Sequence, residues 1–175
     1  MIYFNNDYSE GCHPRILEKL AASNFEQTPG YGTDYYCTRA AARIKQLCND
    51  ETLNVHFLVG GTQTNLTVIA AALRPHQAVL TVTDGHINVH ETGAIESTGH
   101  KVLALEGEDG KITAQQVEAY CIAHYEEDGP EHTIQPGMVY ISHPTETGTL
   151  YTLSELEALR KVCDEYNMHF FMDGA

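Results

Sequence analysis

Five short apolar stretches constrain this chain more than any other feature: residues 56–60, 78–83, 101–106, 138–142 and 169–173. They are rich in Val, Leu, Ile and Phe, and several run nearly unbroken instead of alternating. Unbroken apolar runs of this length mark strands covered on both faces. The stretches between them carry helical patterns, at 14–24, 37–48, 62–73, 113–126 and 152–167. Pro14 suits a helix start. Thr113 with Gln116, and Thr152 with Glu155, have capping-box spacing. In the last helix, Leu153, Leu156, Leu159, Val162, Cys163 and Tyr166 share one stripe. Strand and helix alternate, which predicts an α/β fold of three layers, a mostly parallel sheet with helices on both faces.

Parallel α/β sheets bind ligands beyond the carboxyl ends of their strands. The residues just after each apolar run therefore carry the most functional information. Val59-Gly60-Gly61-Thr62-Gln63-Thr64-Asn65 joins a strand to a helix. Its glycines let a ligand approach the backbone, and the free N–H groups of a new helix favour a phosphate. A plain tight turn fits the same residues. Asp84-Gly85-His86-Ile87-Asn88-Val89-His90-Glu91-Thr92-Gly93-Ala94 follows the second run. His86 and His90 are spaced to share a helix face. The zincin pattern requires Glu directly after its first His, and Ile87 stands there instead. A metal site is the weaker reading; an imidazole against a flat ring and a structural histidine are the others. Phe171-Met172-Asp173-Gly174-Ala175 puts a carboxylate at a strand mouth, where a protonated ring nitrogen or a helix cap would partner it. Pro29-Gly30-Tyr31-Gly32 is a loop, and Tyr31 offers either a hydroxyl or a packing surface.

Charge narrows the partners. The formal net charge is −14, with no Lys/Arg cluster, which argues against nucleic acid. An anionic ligand would have to be held by backbone dipoles. Five widely spaced cysteines without a CxxC pair fit reduced thiols in a cytoplasmic protein. No run approaches a membrane span.

In this order and spacing, the GGTQTN turn, the GHINVHETGA segment and the terminal MDGA resemble the threonine aldolase / β-eliminating lyase family. These are enzymes of fold type I that depend on pyridoxal 5′-phosphate (PLP). The resemblance covers almost the whole chain. It implies part of the large PLP domain over residues 36–175, preceded by a segment, 1–35, that carries active-site loops. It implies that Gly61, Thr62 and Gln63 hold the PLP phosphate and that His86 stacks on the ring. Asp173 would pair with the ring nitrogen, and Ala175 would lie against the other face. Ser9 and Tyr31 would contact the amino-acid substrate. The reaction implied is cleavage of threonine-like β-hydroxy amino acids to glycine and an aldehyde. Elimination of a β substituent on the same scaffold is the alternative, and a catalytically inactive assembly partner is a third. Homodimers or homotetramers are expected.

Two departures stand out. Family members are about twice as long, and the sequence stops inside the DGAR motif, before the Schiff-base lysine. None of the lysines present (Lys19, Lys45, Lys101, Lys111, Lys161) lies in a matching segment, so the chain is expected to continue beyond Ala175 in the natural protein. Glu146 also stands where common aldolases carry a histidine. It is a candidate general acid/base, or a solvent-facing loop residue.

Overall fold

The computed structural model describes residues 3, 6, 8–127 and 129–174. It divides into two compact units, residues 1–57 and 58–175. The first unit holds two helices, α1 (Pro14–Ser23) and α2 (Tyr35–Cys48). The Asp34 side chain caps α2 by accepting from the Cys37 amide, and Asn49 ends it in the left-handed conformation.

The second unit contains α3 (Gly61–Ala72), β1 (Gln77–Val82), α4 (His86–Val89), β2 (Val102–Leu105), α5 (Ala114–Ile122), β3 (Gln135–Ser142), α6 (Leu153–Glu165) and β4 (His169–Asp173). The four strands form one parallel sheet in the order β2-β1-β3-β4. From β1 the chain steps outward to β2, then crosses back over β1 to β3. The carboxyl ends of β1 and β3 therefore form the point where strand order reverses, the natural ligand crevice of an open α/β sheet.

The strands read as continuous apolar runs because each side of the sheet has its own cover. Leu80, Val82, Val139 and Ile141 point to the face packed by Val117 and Cys121 of α5 and by Leu159, Val162 and Cys163 of α6. Val79, Met138 and Tyr140 point the other way, against Ile69 and Leu73 of α3, Ile87 of α4 and Ile95. Each fully buried aliphatic side chain contributes about 1.5–3 kcal/mol by leaving water.

Two expectations need correction. Residues 56–60 are not a strand: Phe57, Leu58 and Val59 are exposed, and none of the described strands pairs with them. Strand propensity alone does not make a ladder, because its N–H and C=O groups need a neighbour. Leu153 is exposed although it belongs to the apolar stripe of α6. It is the first residue of that helix, while burial falls on Leu159, Val162 and Cys163.

Both expected capping boxes are present, at Thr113–Gln116 and Thr152–Glu155. The Glu155 carboxylate accepts from the Thr152 N–H at 2.6 Å and from its hydroxyl at 2.8 Å, and meets Lys111 Nζ at 3.2 Å. These bonds, the backbone one foremost, hold its carboxyl down from 4.5 to about 2. A lowered value in the folded state stabilises fully above the ordinary carboxylate range, and that contribution is lost as pH falls toward about 2. Thermal unfolding compared between about pH 6 and about pH 2.5 should therefore show a larger fall in Tm for the wild type than for Glu155→Gln. Equal falls would dismiss the cap as a source of acid sensitivity.

Of the thiols, Cys12 and Cys48 are exposed, whereas Cys121 and Cys163 are buried. Burial pushes the last two up, to about 12 and about 11. They act as small apolar core residues. No helix among the described residues is long and apolar enough to cross a membrane.

Candidate active site

The polar residues at the carboxyl ends of β1 and β4 converge on the start of α3. Gly60 precedes this helix in an extended conformation, and no side chain caps it. The first amides of any helix lack intrahelical partners, so those of Gly61, Thr62 and Gln63 stand at an exposed, uncapped N-terminus. Gln63 turns its side-chain carbonyl back to accept from the Val59 N–H at 2.9 Å, tying down the entering backbone.

One turn further, α3 places Asn65 inside the protein, 2 % exposed. Its amide nitrogen lies 2.6 Å from Glu91 Oε1 and 3.1 Å from Asp173 Oδ2. The Tyr140 hydroxyl donates to the same Asp173 oxygen at 2.7 Å. His86 Nδ1 lies 2.9 Å from Glu91 Oε1. One continuous network thus runs from His86 through Glu91 and Asn65 to Asp173 and Tyr140. It joins α3, the turn after β1, and strands β3 and β4.

Each member is placed by a local cause. His86 opens α4 directly after the β1 turn, whose Gly85 N–H donates to Val82 O at 2.9 Å. Gly85 is required by close approach: a Cβ there would lie 2.4 Å from Thr81 Oγ1. Tyr140 sits fully buried on β3, with Phe171 of β4 edge-on at 5.3 Å between ring centroids. Burial, then the hydrogen bond to Asp173, raises the Tyr140 phenol far above its ordinary value, so it remains a donor. The carboxylates are unequally satisfied. Asp173 Oδ2 takes two hydrogen bonds while Oδ1 takes none among the described residues. Glu91 Oε2 is buried with no partner there either.

The network gathers His86, Asp173 and the helix carrying Gly61, Thr62 and Gln63. Glu146 lies apart from it, exposed in the loop after β3, where its carboxylate accepts from the Ser142 hydroxyl at 3.1 Å. Ser9 and Tyr31 belong to the first unit. Ser9 donates to Asn6 Oδ1 at 2.6 Å, and Tyr31 is fully exposed with a left-handed φ of 63°. Ala175 lies outside the described residues. His90 is exposed with its ring 5.6 Å from that of His86, and no set of three metal-binding side chains gathers among the described residues.

Sequence reasoning passed over Asn65, Glu91 and Tyr140 as members of this site. Asn65 and Glu91 stand inside the two motifs already singled out. Tyr140 carried no local signal beyond a polar tip within an apolar run.

A PLP molecule would find suitable groups here. The helix start is open for a phosphate. Asp173 keeps one oxygen free for a protonated ring nitrogen, and the His86 side chain is 38 % exposed and so available to a ring face.

The chain is similar to known proteins over most of its length. The sequence pattern of the beta-eliminating lyases matches residues 8–175. The chain is 30 % identical over 174 residues to a low specificity L-threonine aldolase of Pseudomonas aeruginosa, covering 98 % of this chain and 49 % of that protein. A solved threonine aldolase of Leishmania major superposes with a TM-score of 0.92 at 46 % identity, covering 97 % of this chain and 48 % of the other. An archaeal alanine:glyoxylate aminotransferase shares the fold, with a TM-score of 0.72 at 15 % identity, over 93 % of this chain and 41 % of its own. The chain spans about half the length of the curated relatives it matches.

Proposed function

The chain belongs to the β-eliminating lyase family, and from that premise we propose that it forms part of a PLP-dependent lyase cleaving threonine-like β-hydroxy amino acids to glycine and an aldehyde. The fold is the α/β fold of fold-type-I PLP enzymes. The observation that carries the proposal is the single network joining His86 and Asp173 to the helix whose open N-terminus is formed by Gly61, Thr62 and Gln63. Elimination of a β substituent is the second reading, favoured by the family match itself, because both reactions need the same cradle.

When bound, PLP supplies an electron sink for the carbanion left on the α-carbon of the amino acid. The chain's own residues do the rest by position. The amides and dipole of α3 would hold the phosphate. Asp173 Oδ1 would keep a proton on the ring nitrogen, since an adjacent carboxylate favours the charged form. Tyr140 and Asn65 occupy Oδ2 and so aim the free oxygen. His86 would cover one ring face. Glu146 is the candidate for taking the β-hydroxyl proton. Ser9 and Tyr31 are assigned to the substrate, and Ala175 to the ring's other face, on the family resemblance alone. Residues 36–175 are read as part of the PLP domain, with 1–35 contributing loops. For the whole protein we infer a cytoplasmic homodimer or homotetramer.

The test is PLP binding. PLP added to the 175-residue protein should bind saturably, and His86→Ala should weaken that binding about tenfold or more, a loss on the scale of removing one large aromatic contact. Borohydride reduction followed by peptide mass spectrometry should find no single lysine labelled stoichiometrically. Lys111, for example, is already paired with Glu155. Absence of saturable binding would overturn the cofactor reading. Full labelling of one lysine would overturn the expectation about the Schiff-base residue.

A further inference from the structure

Asn65 and Glu91 have a role that hydrogen-bond counting makes specific. An Asn amide carries two N–H donors, and here both face carboxylates, Glu91 Oε1 at 2.6 Å and Asp173 Oδ2 at 3.1 Å. The Tyr140 hydroxyl lies farther off, at 3.5 Å. The Glu91 side chain has no exposed surface. Its Oε1 is shared between Asn65 and His86, and its Oε2 is unpartnered among the described residues. Burying a carboxylate with one empty oxygen is unfavourable, and a well-packed apolar side chain would serve the core better. Among the described residues, Glu91 bonds the Asn65 amide and the His86 ring.

The tautomer of a histidine is set by the hydrogen bond its second nitrogen makes. A carboxylate can only accept, so the bond to Glu91 requires the His86 proton on Nδ1. That leaves Nε2 free to accept or to take up a proton. The titratable groups facing this chain of contacts are His86, His90 beside its ring, Glu91, Tyr140 and Asp173.

We propose that Glu91 and Asn65 are positioning residues, Glu91 fixing the His86 ring with its proton on Nδ1 and Asn65 linking that histidine to Asp173, so that a change of protonation at one is felt at the other. Hydrogen bonds joined through one shared amide polarise one another. The inference rests on the cofactor reading above, which is what gives His86 and Asp173 a common ring to hold.

The test needs no cofactor. In the protein labelled with 15N-histidine and 13C-aspartate, the neutral His86 ring should show a protonated Nδ1 and a bare Nε2. The Asp173 carboxyl carbon should shift at the pH midpoint of His86. Glu91→Leu, which has no acceptor, should abolish the tautomer preference. Asn65→Leu should leave His86 on Nδ1 and remove the matching shift at Asp173. If Asn65→Leu does not fold, loss of the Asp173 shift in Glu91→Leu carries the same information. A His86 proton on Nε2 in the wild type, or an Asp173 carbon indifferent to His86, overturns the proposal. The outcomes separate from the test of PLP binding. Coupling without PLP binding supports the network and defeats the cofactor reading. PLP binding with an unaltered His86 in Glu91→Leu defeats the positioning role alone.

Discussion

For the proposed lyase, Asp173→Asn in the PLP-loaded protein is expected to lower kcat by about 10²- to 10³-fold, the scale of removing a preorganised charge-stabilising group from a reaction centre. The substitution keeps shape: an Asn carbonyl can still accept from Tyr140 and Asn65, which hold Oδ2 at 2.7 and 3.1 Å. In the role proposed for Asp173, it removes the negative charge that would favour a protonated ring nitrogen, and with it the pull on electrons leaving the α-carbon. The unfolding midpoint should change little and PLP should still bind, because the phosphate would be held elsewhere, at the start of α3. Steady-state kinetics beside a thermal melt decide the matter. A kcat within threefold or so of wild type, with the cofactor bound, would remove Asp173 from the electron-sink role.

Gly85→Ala is expected to destabilise the protein by about 1–3 kcal/mol, the usual range for overpacking a tight site. The reason is space alone, since Gly85 has an ordinary negative φ. A Cβ at this position would lie 2.4 Å from Thr81 Oγ1 and 3.0 Å from Val82 O. Thr81 is fully buried, and its branched side chain has few rotamers to retreat into. The backbone must move instead, and the next residue is His86. Denaturant unfolding should therefore show a lower midpoint, and PLP affinity should fall together with stability. An Ala variant as stable as wild type would mean that the β1 turn is softer than its contacts indicate.

Asp173 is a residue that the sequence itself brought forward, whereas the importance of Gly85 shows only in the packing. The same division runs through the fold. Four of the five apolar runs became strands because each found a partner in the sheet. Residues 56–60 had the same composition, but no described strand lies alongside. The helices were legible from spacing and caps, since a capping box is a local event between residues three apart, as at Thr113–Gln116 and Thr152–Glu155. Burial along a helix was less legible. Leu153 and Leu159 share a stripe, yet only Leu159 lies over the sheet.

By itself the sequence determined the alternation of strand and helix, the parallel sheet covered on both faces, and the candidates His86 and Asp173. Those features follow from periodicity, from capping chemistry over three or four residues, and from motifs at strand ends. The tertiary structure alone decided that Asn65, Glu91 and Tyr140 stand between His86 and Asp173. Their hydrogen bonds join residues 26, 33 and 108 positions apart. Such distances close only when the strand order β2-β1-β3-β4 brings the ends of β1, β3 and β4 against the first turns of α3, and no periodicity along a chain encodes which buried polar groups will then share a proton.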